Sequence, residues 1–190
     1  MIPDAEGENI ARFPRLKRIR WNQGFVSPRA CGETPDPPLK VLKAKADGRC
    51  MFRSMAKGLG YIAGQDLGED LERTSADALR EASYQVICVK KRAWWQKMGF
   101  VEGDIDTYCK SMRSPDFYGG EPELFVLSET VLKRPVAVYM HGTGDNYSKL
   151  LEYGSGFRRP NKQPLRLLYN GVNHYDCLVP IGESTDRTIE

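Results

Sequence analysis

The stretch KADGRCMFRSM (45–55) sets Cys50 directly after an Asp47-Gly48 turn and directly before an apolar, helix-like run. A thiol attacks as thiolate, and the unsatisfied N–H groups and dipole at a helix N-terminus favour that charge. Gly48 suits a tight turn because glycine adopts backbone angles that other residues avoid. Such a turn aims several N–H groups into one concavity, the geometry that holds a developing oxyanion. The segment therefore offers a nucleophile and donors for its tetrahedral intermediate. A small buried apolar cysteine beside an ordinary turn fits the same pattern, so a base has to be found.

The chain has 2 histidines. His141 ends PVAVYM and runs straight into GTGDN, which reads as an exposed loop. His174 begins HYDCLV (174–179). In a strand, residues i and i+2 share a face about 6.5–7 Å apart along the chain, which sets Asp176 beside His174. Asp176 can then accept from Nδ1 and leave Nε2 to face a thiol, the orienting role of the third member of a triad. A core histidine with a chance acidic neighbour has the same spacing, so spacing alone leaves both readings open.

These residues must be brought together by the elements around them. LKVLKAK (39–45) alternates apolar and basic residues and reads as an edge strand. Met51, Phe52, Met55 and Leu59 share one face of a helix expected to stop near Gly58 or Gly60. Leu71, Ala78, Leu79, Ala82, Val86 and Val89 mark a second, longer helix. Asp104 is placed to cap a third, and EPELFVLSETVL (121–132) carries Pro122 at a first helical position. Beyond Pro135 the apolar period falls to two in PVAVYM, YSKLLEY, LRLLYN and HYDCLV. Helices first and a mainly antiparallel sheet later make the fold class α+β.

The length of 190 residues suits one domain, and 41% hydrophobic with 28% charged residues is the balance of a soluble globular protein. No run approaches the roughly 18 apolar residues that span a bilayer, and MIPDAEGENI lacks the features of a secretory signal. Residues 1–38 carry Arg12, Arg15, Lys17, Arg18, Arg20 and Arg29 and close on TPDPP, so a flexible basic extension is expected before a domain over 39–182 and a tail over 183–190. A solvated arm is preferred to a nucleic-acid site, although Arg15, Lys17, Arg18 and Arg20 with Trp21 could hold phosphates. The 5 cysteines are widely spaced with no C-x-x-C pair, which argues against a zinc site and a disulfide scaffold. Reduced thiols and a cytoplasmic or nuclear location are expected; an organellar address stays open, because Asp4, Glu6 and Glu8 interrupt an otherwise Arg-rich start.

DGRCMFRS (47–54), YGGEPEL (118–124) and NHYDCL (173–178), in that order, resemble the ovarian-tumour (OTU) domain cysteine proteases that remove ubiquitin. The resemblance covers about residues 40–180, and FVEGDIDTYCKSM, RPVAVYM and LRLLYNGVNHYD look most like plant and algal members. It implies a papain-type fold with helices around a small sheet, Cys50 as nucleophile, His174 as general base and acid, and Asp176 as the orienting carboxylate. It also implies that backbone N–H groups of Asp47–Cys50 line the oxyanion hole. The family often has Trp before the Gly-Gly pair where this chain has Tyr118.

A ubiquitin tail ends in Leu-Arg-Gly-Gly, which calls for a narrow channel with aromatic walls and acids for the arginine. Tyr118 and Tyr175 are candidate walls, with Trp94 or Trp95 better read as core; Gly119 and Gly120 permit close backbone approach. Asp116, Glu121 and Glu123 flank the loop, where they also suit a helix N-terminus. The expected partners are ubiquitin and polyubiquitin chains, bound by a monomer with neither metal nor organic cofactor. The rival reading is an inactive OTU-like ubiquitin-binding module, or a basic-armed protein that binds nucleic acid or lipid.

Overall fold

The computed structural model describes residues 36–101, 103–142, 146–160 and 162–182. The basic arm with Trp21, Cys31 and the 183–190 tail lie outside them. Strand β1 (Leu39–Leu42) leads through the Asp47-Gly48 turn into helix α1 (Cys50–Ile62). Helices α2 (Glu69–Tyr84), α3 (Arg92–Met98), α4 (Ile105–Met112) and α5 (Glu121–Val126) follow. Both α2 and α5 run on into a π-helical stretch, over Gln85–Lys90 and Leu127–Leu132. Strands β2 (Val136–His141), β3 (Tyr147–Tyr153), β4 (Leu165–Tyr169) and β5 (Tyr175–Pro180) complete the described chain.

The five strands form one sheet in the order β1-β5-β4-β2-β3. Only β2 and β4 pair in parallel; the other neighbours are antiparallel, and β1 lies at an edge as expected. Alternation along the strands sorts their side chains. Val136, Val138, Leu165 and Leu167 join Met51, Phe52, Met55, Leu79, Leu124 and Leu127 in the main core. Ala137, Tyr139, Leu168 and Leu178 gather in another cluster on the opposite face. Each side chain of the Met51, Phe52 and Met55 kind contributes roughly 1.5–3 kcal/mol on full burial, so α1 is fixed as the central helix. Trp95, Ile87, Ile105 and Met112 form a separate core with Trp94 packed against it, which accounts for both tryptophans as packing residues.

Two expectations change. Helix α1 does not stop at Gly58 or Gly60 but continues to Ile62, with Gly64 beyond it in the left-handed region at φ +70°. A Cβ at Gly58 would lie 2.8 Å from Leu165 Cδ2, and one at Gly60 2.8 Å from Leu67 Cγ, so these glycines serve close packing rather than termination. Cys88 and Cys109, 21 residues apart, form a disulfide between the π-helical stretch after α2 and helix α4, so the expectation of reduced thiols fails for this pair. Contacts are also present ahead of β1. Asp36, assigned to the extension, accepts from Tyr139 Oη at 2.6 Å and from Arg166 Nε at 3.1 Å. Among the described residues no helix is long and apolar enough to cross a membrane.

Candidate active site

Cys50 is the first residue of α1 and is 2% exposed. The preceding turn is built by Asp47, whose Oδ1 accepts from the Arg49 N–H at 2.9 Å and whose carboxylate meets Arg53. Buried Arg53 also donates to Glu72 at 3.0 Å, so the turn is tied through α1 to α2. Burial alone would raise the Asp47 carboxyl, but Arg53 and the Arg49 N–H outweigh it and hold the group below its ordinary value. Gly48 is not in a left-handed conformation. A Cβ there would lie 2.2 Å from the Pro115 carbonyl oxygen, so glycine is required by the loop packed against the turn. Arg80 of α2 binds the two together, donating to the carbonyls of Gly48 at 2.9 Å, Ser114 at 3.1 Å and Phe117 at 3.2 Å.

The backbone of the turn is largely committed. The Asp47 N–H donates to the Lys45 carbonyl at 2.9 Å, the Cys50 N–H to the Asp47 carbonyl at 3.0 Å, and the Arg49 N–H to its own turn. Among the described residues the Gly48 N–H meets no acceptor.

His174 stands just before β5 and Asp176 lies within it, on the segment that packs against the start of α1. Ser54 Oγ donates to the Tyr175 carbonyl at 2.9 Å and locks α1 against this strand. The Cys50 thiol donates to the Asn173 carbonyl at 3.8 Å, while the Tyr175 N–H faces the sulfur. The thiol thus touches backbone on both sides of His174. The histidine stands just before β5 rather than inside it, and its ring meets Asp176 Oδ1 through Nε2 at 3.2 Å. The expected assignment of nitrogens is therefore reversed: a ring reaching in from the turn presents Nε2, not Nδ1, to the carboxylate.

Asp176 is buried and well supplied with donors, from the Ala44 N–H at 2.9 Å and Lys43 Nζ at 2.9 Å. Burial pushes its carboxyl up, yet the Ala44 N–H, Lys43 and His174 together hold it below its ordinary value of 3.8. Burial also pushes the Cys50 thiol up. The N–H groups of Tyr175 and Met51 oppose this, the carboxylates of Asp47 and Asp176 add to it, and the thiol ends above its ordinary 9.0. The helix N-terminus therefore does not outweigh burial at this thiol. The other described free thiol, Cys177, is wholly buried and pushed up to about 12. His141 lies at the far end of β2 with its ring against Tyr147.

The loop over 118–121 lies beside the first turn of α1. Tyr118 is 55% exposed. Gly119 sits so close that a Cβ would be 2.5 Å from Met51 Cε and 2.9 Å from the Phe52 ring, whereas Gly120 faces open space. Glu121 accepts from Tyr153 Oη at 2.9 Å. The Tyr175 ring is buried against Tyr169, with centroids 4.8 Å apart, and is no exposed wall.

Glu123 is not available to a substrate arginine. It is buried, accepts from the Gly120 N–H at 2.8 Å and Tyr108 Oη at 2.6 Å, and so fixes the start of α5. Burial raises its carboxyl from 4.5 to about 7. The folded state therefore binds this proton more tightly than the unfolded chain. The resulting stability is full below about pH 4.5 and is lost as pH rises to about 7. Glu123→Gln removes that dependence. Across pH 4.5 to 7.5, urea unfolding should show the wild type losing roughly 3 kcal/mol relative to the glutamine variant. Parallel pH profiles would contradict the assignment.

Arg53, Arg80, Lys43 and Asn170 all support the site and none was singled out from the sequence. Long basic side chains read as surface charge, and only the Asn-Gly pair at 170–171 carried a local turn signal.

A family profile described as OTU-like cysteine protease matches residues 45–177. The chain is 40% identical over 157 residues to OVARIAN TUMOR DOMAIN-containing deubiquitinating enzyme 3 of Arabidopsis thaliana, covering 73% of this chain and 67% of that one. It is 39% identical over 142 residues to OVARIAN TUMOR DOMAIN-containing deubiquitinating enzyme 4 of the same plant, covering 73% of this chain and 43% of that one. This chain thus accounts for about two thirds of one relative and less than half of the other. Its fold is similar to the viral OTU domain protease from Taggert virus, with a TM-score of 0.57 at 19% identity over 77% of this chain and 82% of the viral one. The Hazara virus OTU bound to ubiquitin gives a TM-score of 0.53 at 21% identity, covering 74% of this chain and 80% of that chain. The profile spans the turn that carries Cys50 and the strand that carries Asp176, and the chain belongs to the OTU-like cysteine protease family.

Proposed function

We propose that the protein is a deubiquitinating thiol hydrolase that cleaves the isopeptide bond after the C-terminal glycine of ubiquitin, including bonds within polyubiquitin chains. The observation that carries this reading is the thiol of Cys50 lodged between the backbones of Asn173 and Tyr175, with His174 between them and bonded to Asp176. The plant relatives named as deubiquitinating enzymes and the ubiquitin-bound viral neighbour support the choice of substrate.

The chemistry follows from the groups present. His174 takes the Cys50 proton as the sulfur attacks the glycine carbonyl carbon, and the carbonyl oxygen becomes an oxyanion. The Gly48 N–H is the uncommitted donor of the turn for that charge. Collapse breaks the C–N bond, and His174 returns the proton to the departing lysine amine, leaving a thioester on Cys50. Water, deprotonated by His174, then releases the ubiquitin carboxylate and restores the thiol. Asp176 stabilises the imidazolium in both halves and fixes the ring.

Tyr118 and the Gly119-Gly120 pair receive the glycines of the tail, and the exposed Asp116 is a candidate for its arginine. The catalytic unit is the 39–182 region together with its anchor at Asp36. Isopeptide-linked diubiquitins of every linkage type test the reading. Conversion of at least one to monoubiquitin is expected, and failure on all of them by folded protein would contradict it.

A further inference from the structure

The turn joining β4 to β5 is gathered around one side chain. Asn170 Oδ1 accepts three successive N–H groups, those of Val172 and Asn173 at 2.9 Å and that of His174 at 3.0 Å. The Asn170 N–H donates to the His174 carbonyl at 3.0 Å, so the same residue closes the turn at both ends. Gly171, at φ +86°, supplies the left-handed backbone in between. Tyr169 Oη adds a bond to the Val172 carbonyl at 2.7 Å.

Packing does not hold this turn. Asn170, Gly171, Val172 and Asn173 are all exposed, Val172 at 77%. Yet it delivers the Asn173 carbonyl to the Cys50 thiol and the His174 ring to Asp176. We propose that Asn170 is a positioning residue for the Cys50–His174 pair, acting through the backbone of 172–174 and touching neither the thiol nor the imidazole. This rests on the reading of His174 as the base that serves Cys50.

The chemistry also explains an amide at this position. A carboxylate would accept the same three N–H bonds, but it would set a second negative charge beside a histidine already paired with Asp176. That charge favours the imidazolium and so moves the onset of the reactive form to higher pH. Asparagine supplies the acceptor without the charge.

The test is the rate at which iodoacetamide modifies Cys50 between pH 6 and 8, followed by peptide mass spectrometry so that Cys177 is counted separately. Sulfur displaces iodide while His174 takes the thiol proton, so no ubiquitin is needed. His174→Ala should react slowly. Asn170→Ala should fall about tenfold or more towards that rate while its melting temperature stays within a few degrees of the wild type. Asn170→Asp should keep the wild-type rate at the upper end of the range, with its pH midpoint raised by about half to one unit. An Asn170→Ala variant as fast as the wild type, with His174→Ala slow, would overturn the positioning role alone. So would an Asn170→Asp variant as slow as Asn170→Ala at every pH. Equal rates for the wild type and His174→Ala would overturn the reading of the base, and this role with it.

Discussion

Cys50→Ala should lower ubiquitin-isopeptide cleavage by roughly a thousandfold or more, to the limit of detection. Nothing else described can replace the thiol: Cys88 and Cys109 are joined, and Cys177 is buried with its thiol pushed up to about 12. Cys177→Ala should therefore leave turnover within about twofold, with a stability cost as its main effect. Alanine at 50 removes a small side chain from a helix start, so circular dichroism should show a folded protein. Steady-state assays on the two variants in parallel check both expectations. Full activity of Cys50→Ala would remove the mechanism.

His174→Ala should lower kcat by about two to four orders of magnitude and change KM little, because the ring acts on the reacting proton. His141→Ala, altering a residue at the far end of β2, should remain near wild type. Asp176→Asn should fall between them. The amide keeps an acceptor for the Ala44 N–H but loses the charge that stabilises the imidazolium and pairs with Lys43. The pH dependence follows from the depressed Asp176 carboxyl. Its contribution to stability is present above its ordinary value of 3.8 and is lost as pH falls through the lower folded value. The Asp176 ion pair therefore stays formed across the neutral range, so any acid loss of activity above pH 5 should precede unfolding. Activity and far-UV circular dichroism measured across pH 4 to 9 separate the two. A greater loss from His141→Ala than from His174→Ala would refute the assignment of the base.

Much of this site was legible because its chemistry is local. A cysteine after Asp-Gly, a histidine two residues before an acid and a glycine pair ahead of Glu-Pro-Glu are each short patterns with direct physical meanings. Strand periodicity placed Asp176 beside His174 even though the histidine lies just outside β5, since the i, i+2 relation survives at a strand entry. What stayed hidden depends on distant partners. Gly58 and Gly60 looked like stop signals because glycine disfavours helix, but Leu165 and Leu67 demand their missing side chains. Nothing local in the sequence marks Arg53 or Arg80; their roles come from Asp47, Glu72 and the carbonyls of two loops brought around them by the fold. The helix end at Cys50 is visible in the sequence, whereas burial, the larger effect on the thiol, is set by distant parts of the chain. Cys88 and Cys109 lie on different elements, and no spacing rule pairs them.

The most direct measurement uses ubiquitin whose C-terminal glycine is replaced by a thiol-reactive alkyne or vinyl warhead. The tail must bind beside Cys50 and form one covalent bond with its sulfur, so recognition and nucleophile are read together. One adduct per chain is expected, carried by the Cys50 peptide in mass spectrometry and absent from Cys50→Ala. No adduct from folded protein that still binds ubiquitin would contradict a hydrolase and leave a binding module, and an adduct on Cys177 would contradict the site.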